Sequence, residues 1–208
     1  MEVYEHRLEN DLSWRESELA SLKLLVAETT RGSVRERALL RALWAMLYAH
    51  YEGFCQFAWD TYLDHLQASA PIRANCVDSL ARFSLADSLR SLRGNTSLEN
   101  MWTYCTSEFQ GLMSKPLAFG VRLETASNLW PDICRENSAK VGLRHDAVDH
   151  NRTKLTALVS RRNDIAHGQP MIVRTLQEYQ QYETAAIEVM YELALDVAHC
   201  LSNRTYLR

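Results

Sequence analysis

The chain has 208 residues, 47% of them apolar and 24% charged, with a formal net charge of −3. These fractions exclude a disordered or low-complexity chain, and the negative balance excludes a protein that coats nucleic acid through bulk positive charge. With only 7 glycines and 4 prolines there are too few turn residues for a many-stranded β fold, so one all-α domain over residues 1–208, a helical bundle, is expected.

Leu8, Leu12, Leu19, Leu22 and Val26 recur at helical spacing and predict an amphipathic helical arm within residues 1–32. Ser33-Val-Arg-Glu36 is a capping box, in which the serine oxygen takes the glutamate N–H and the carboxylate reaches back. It opens a long helix over 33–67 that lacks proline and carries Gly53 as its one interruption. Leu40, Leu43, Trp44, Leu47, Tyr51, Phe54, Ala58 and Tyr62 form one apolar stripe on it. Leu39, Met46 and Phe57 form a second, and Tyr48 and Trp59 a third. A helix that is apolar on most sides is buried on most sides, which predicts the central helix of the bundle.

Beyond it the pattern weakens. A helix is expected over 72–92, a turn at Gly94-Asn95-Thr96, a helix over 98–112 and an extended stretch over 117–124. Pro131 suits the first turn of a short helix closed by Gly142. A helix over 149–167, inside a motif segment 149–168, stops at Gly168-Gln169-Pro170. Thr175-Leu-Gln-Glu178 is a second capping box and opens a terminal helix over 175–202.

No apolar run approaches the roughly 20 residues of a bilayer span, and the first ten residues hold no signal-peptide core, so a cytoplasmic protein with no membrane partner is expected. In a reducing compartment Cys55, Cys76, Cys105, Cys134 and Cys200, odd in number and without a C-x-x-C pair, read as buried small hydrophobes. The glycosylation-type triplets at Asn95, Asn151 and Asn203 are then chance matches. Charge is unevenly spread: Arg135 to Arg174 holds eight Lys/Arg against four acids, a local +4 that leaves −7 elsewhere. Arginine supplies 19 of the 23 basic residues, a composition suited to bidentate phosphate contacts.

Walker A, dinucleotide-binding, H-E-x-x-H and nucleophile-elbow motifs are all missing, and no cofactor is expected. Asp146 with His150 and His145 with Asp149 are spaced i,i+4 but lack a third ligand, so a solvated surface is the expectation there and no metal is assigned. The chemistry-bearing segment is Leu155 to His167. On a helical wheel Leu155, Leu158, Val159, Ile165 and Ala166 share a face, and Arg162 falls in its centre. An arginine in an apolar stripe must be paired or must line a cavity. Two readings stay open: a structural pair with Glu52 on the central helix, or a phosphate-handling site. Thr156, Ser160, Asn163 and His167 form a polar stripe about 110° away.

Arg162-Asn163-Asp-Ile-Ala-His167 resembles the R-x4-6-H signature of the HEPN superfamily, including the polar residue that follows the arginine. Leu158-Val-Ser-Arg-Arg-Asn-Asp-Ile-Ala-His-Gly168, Tyr51-Glu52-Gly53 and Thr125-Ala-Ser-Asn-Leu129 resemble, in order and spacing, a subfamily of stand-alone bacterial HEPN proteins across nearly the whole chain. The resemblance implies a dimerising helical bundle and a metal-independent endoribonuclease, the toxin of a toxin–antitoxin or phage-defence module with a cognate antitoxin or defence-system partner. It implies Arg162, Asn163 and His167 as catalytic residues, with Arg161 as an adjacent cation and Glu52 and Ser160 in support. Gly168-Gln169-Pro170 follows the histidine in place of the modifiable tyrosine that some members carry.

RNA carries its own nucleophile, the 2′-hydroxyl, so cleavage needs a proton acceptor, a proton donor and a cation on the phosphorane oxygens. Imidazole and guanidinium supply these. A single His167 per chain cannot both accept and donate at once, so a homodimer sharing one RNA cleft is expected. The alternative is a non-catalytic HEPN module that binds nucleotide or protein within a larger defence complex.

Overall fold

Two long helices, α1 (Val3–Ala27) and α2 (Val34–Ser69), open the chain. The structure, a computed structural model, describes residues 3–94, 96–170 and 173–208. Ser33 Oγ accepts the Glu36 N–H at 3.0 Å as expected, while the Glu36 carboxylate takes the N–H of Gly32, one residue further out than the capping box implies. With 36 residues at 1.5 Å each, α2 runs about 54 Å. It ends when Ala70 turns left-handed (φ 48°) ahead of Pro71. The first and third predicted stripes of α2, from Leu40 to Tyr62 with Tyr48 and Trp59, are buried. Leu39, Met46 and Phe57 are only partly so.

Three further helices complete the centre: α7 (Pro131–Lys140), α9 (Arg152–Ala166) and α10 (Leu176–Ser202). α1, α9 and α10 pack along α2, and α9 also meets α10. The second capping box repeats that pattern: Thr175 Oγ1 accepts the Glu178 N–H at 3.0 Å as expected, while Glu178 Oε2 accepts the Arg174 N–H at 3.0 Å, again one residue further out. α7 starts at Pro131 and is followed by Gly142 in the left-handed region (φ 78°).

α1 buries Leu8, Leu12, Leu19 and Val26, and on the same stripe Arg15, 8% exposed. Arg15 Nε pairs with Asp11 at 2.6 Å, and Nη1 lies 3.4 Å from both Nδ1 and the carbonyl oxygen of His50. A Cβ at Gly53 would sit 3.1 Å from Arg15 Nη1, so glycine in the Tyr51-Glu52-Gly53 string gives this cation its room against α2. Trp14 meets the His50 ring edge-on, and Glu18 Oε2 lies 2.9 Å from Nε2.

Burial and the Arg15 guanidinium hold the His50 imidazole below its ordinary pKa against the opposing pull of Glu18 and Asp11. The unfolded chain therefore binds this proton more readily. His50 contributes stability above about pH 6.5 that is lost as pH falls towards the folded-state pKa. Denaturant titrations between pH 7.5 and 5 should show declining stability, with a shallower slope for His50→Gln; equal slopes would show that the imidazole titrates alike in both states.

The chain between the long helices departs from its helical pattern. In place of one helix over 72–92 there are a 3-10 turn at Arg73–Asn75 and two short helices, α3 (Asp78–Ser84) and α4 (Ala86–Gly94). Tertiary pairing breaks the helix: Cys76 bridges Leu207, Val77 N–H donates to Tyr206 O, and Arg73 N–H donates to Lys115 O. The turn expected at Gly94-Asn95-Thr96 includes Asn95, outside the described residues. The helix over 98–112 forms as α5 (Leu98–Thr103), a π-helical turn at Tyr104–Glu108 and α6 (Phe109–Met113), with Leu98, Met101, Trp102 and Phe109 facing outward. Residues 117–124 form no strand; Leu117, Phe119 and Leu123 are buried in irregular chain.

The motif helix is also shorter than expected. α8 (Asp146–His150) and α9 are separated at Asn151, whose buried side chain donates to Ala147 O at 3.0 Å and so competes with helical bonding at that point. Four cysteines are buried, but Cys105 is exposed, contrary to its reading as a core residue. Among the described residues no helix is long and apolar enough to cross a membrane.

Candidate active site

α9 is docked by its apolar face. Leu155, Leu158 and Val159 are buried, and Trp44 Nε1 of α2 donates to Leu158 O at 3.1 Å. One turn later Arg162 leaves the core, half-buried, with its guanidinium over the Tyr48 ring, 4.6 Å from the centroid. Its Nη1 donates to Asn128 Oδ1 at 2.8 Å and to Asn163 Oδ1 at 3.1 Å.

The structural pair anticipated between Arg162 and Glu52 does not form. The Tyr48 hydroxyl, one turn before Glu52 on α2, donates to Glu52 Oε1 at 2.8 Å, and the Tyr48 ring meets the guanidinium instead. The same hydroxyl accepts the Leu129 N–H at 2.9 Å and so anchors the loop that presents Asn128. Burial foremost, then the Glu52 carboxylate, push the Tyr48 phenol well above its ordinary pKa, so it remains a neutral hydroxyl. Three stretches distant in sequence thus meet at Arg162: Tyr48 with Glu52, Asn128 with Leu129, and Asn163.

Arg161, expected as an extra cation for phosphate, is engaged elsewhere. Its guanidinium stacks on Trp44 at 4.9 Å and Tyr182 at 5.2 Å, and Nη1 pairs with Glu178 Oε1 at 2.8 Å. Burial pushes the Glu178 carboxyl up, but the Arg174 N–H and Arg161 outweigh it and hold that carboxyl below the ordinary range. The +4 of the surrounding segment is likewise partly matched: Arg144 pairs with Asp196 and Arg152 with Asp132, each at 2.7 Å. Ser160 is exposed on the outer side of α9.

His167 sits at the C-cap of α9, exposed, at the end of the polar stripe formed with Thr156, Ser160 and Asn163. A Schellman motif holds it there. Gly168 N–H donates to Ile165 O at 3.1 Å and Gln169 N–H to Asp164 O at 2.8 Å, with Gly168 left-handed (φ 70°). Arg41 Nη1 of α2 donates to the Gln169 carbonyl oxygen at 2.9 Å and ties the turn to the bundle. Ile165 packs on the core, while Ala166 is exposed.

Among the described residues no group of three or more His, Cys, Asp or Glu could hold a metal ion. His145 Nδ1 lies 2.9 Å from Asp149 Oδ2, so that i,i+4 pair satisfies itself. Sequence alone gives Asn128 and Tyr48 no role: Asn128 lies in the Thr125–Leu129 string before a short helix, and Tyr48 is one more aromatic on an apolar helix.

A family model described as HEPN_MAE_28990-like HEPN matches residues 4–206, almost the full chain. No curated protein and no solved structure gives a significant match.

Proposed function

Since the chain belongs to the HEPN superfamily, whose all-α domains are nuclease-like or RNA-related, we propose that it is an endoribonuclease that cleaves RNA through the 2′-hydroxyl without a metal. The observation that supports this most is the state of Arg162: among the described residues its hydrogen-bond and ring partners, Asn128, Asn163 and Tyr48, are all formally neutral, so its charge is available to an incoming phosphate.

In this reading one His167 imidazole accepts the 2′-hydroxyl proton as the 2′-oxygen bonds to phosphorus. Arg162, aided by Asn163, holds the non-bridging oxygens while negative charge grows on them. The bond from phosphorus to the 5′-oxygen breaks, and a second imidazole protonates that oxygen. His167 of a second copy supplies it, so the active species is a homodimer. The biological role proposed is that of a toxin in a toxin–antitoxin or phage-defence module, restrained by a cognate partner.

Purified protein should digest RNA in the presence of EDTA and leave 2′,3′-cyclic phosphate and 5′-hydroxyl ends, because the nucleophile comes from the substrate. Strict magnesium dependence with 5′-phosphate products would refute the mechanism.

A further inference from the structure

The guanidinium of Arg162 is aimed by three neutral groups from three parts of the chain. Two amide oxygens, Asn128 Oδ1 and Asn163 Oδ1, share its Nη1, and the Tyr48 ring covers one face. Among the described residues nothing else holds Arg162, so the Nε–Nη2 edge remains as a two-donor fork. Arg161, one residue away, is matched to the Glu178 carboxylate instead.

An amide oxygen and a carboxylate oxygen orient a guanidinium equally well. The difference is what they leave behind: a carboxylate cancels the charge, and an amide does not. The Glu52 carboxylate on α2 is engaged by the Tyr48 hydroxyl, and that hydroxyl also fixes the backbone at Leu129, next to Asn128. One phenol therefore engages the Glu52 carboxylate, supplies the stacking surface and anchors the loop that carries the aiming amide.

We propose that Asn128 and Tyr48 are positioning residues that orient Arg162 through uncharged contacts and so preserve its cationic fork for an RNA phosphate. This rests on the reading of Arg162 as the phosphate-holding group. If the two residues served the fold alone, a carboxylate at position 128 would be welcome, since an ion pair would replace a neutral hydrogen bond.

The test is Asn128→Asp, nearly isosteric, set beside Asn128→Ala, Tyr48→Phe and Arg162→Ala. Binding of a 2′-O-methyl oligoribonucleotide, which lacks the nucleophile, is read by fluorescence anisotropy between 50 and 200 mM salt. Asn128→Asp should keep or raise the melting temperature, weaken binding about tenfold or more, and reduce the salt slope by about one unit, as though one phosphate contact were lost. Asn128→Ala should weaken binding less, and Tyr48→Phe, which retains the ring, less again, both with the salt slope closer to wild type. Inorganic phosphate titrated against the Arg162 Nε–Hε resonance should shift it in the wild type and not in Asn128→Asp. Wild-type-like binding and phosphate response in Asn128→Asp would overturn the proposal, as would a wild-type Arg162 resonance that ignores phosphate. Wild-type binding that Asn128→Asp impairs, without cleavage of unmodified RNA, would uphold the positioning role and refute the ribonuclease reading.

Discussion

Replacing His167 by alanine should abolish RNA cleavage while leaving the melting temperature nearly unchanged. The residue is exposed at the C-cap, and the bonds that shape its turn come from the backbone and from Arg41, not from the imidazole. What goes is a proton-transfer group, typically worth ~10²–10⁴-fold in rate, and in a symmetric site both the acceptor and the donor go together. Arg162→Ala should also lose activity, with a cost of about 1 kcal/mol in stability from the broken contacts to Asn128 and Asn163. Cleavage rates and melting curves on the same preparations separate the two effects. An active His167→Ala protein would remove the imidazole from the mechanism.

The second large effect concerns pairs of chains. Arg162 and His167 are five residues apart, and at about 100° per residue their side chains leave a regular helix about 140° apart. One copy of α9 therefore offers its cation and its acid–base group in different directions, and only one acid–base group in all. A second copy across a twofold axis would face each arginine with a histidine of its mate and bring the exposed Ala166 edge under cover. Mixing inactive His167→Ala with inactive Arg162→Ala chains should restore cleavage roughly tenfold or more above either alone, short of wild type because each mixed pair retains one histidine. Light scattering that finds a monomer at micromolar concentration with full activity would exclude a shared site.

Features encoded locally were legible in the chain alone. Both capping boxes work through contacts three or four residues long: each N-cap hydroxyl takes the N–H that the spacing assigns it, and each glutamate reaches one residue further out. The burial of α2 followed from having more apolar residues than one face can hold. Arg162 stands out because a cation in an apolar stripe is an anomaly in a helical pattern, and His167 through the polar stripe and the R-x4-6-H resemblance.

The remainder depends on contacts between distant residues. The 72–92 segment has helical periodicity, yet Cys76 and Val77 pair with the C-terminal residues more than 120 positions away. Asn128 reaches Arg162 across 34 residues from a loop whose composition marks only a turn. Sequence also treats Arg161 and Arg162 as equivalent charges. The wheel pointed to Arg162, but the capture of Arg161 by Trp44, Tyr182 and Glu178 depends on where α10 begins.

That capture has a geometric consequence. Adjacent residues on a helix differ by about 100° in azimuth, so Arg161 held between two rings and a carboxylate acts as a key that locks α9 at one rotational setting. A roll of α9 that carried Arg162 off the Tyr48 ring would also drag Arg161 out of its slot. The angle at which the cationic fork enters the site is thus governed by a neighbour pointing the other way, and the start of α10 serves as the stop against which the motif helix is indexed.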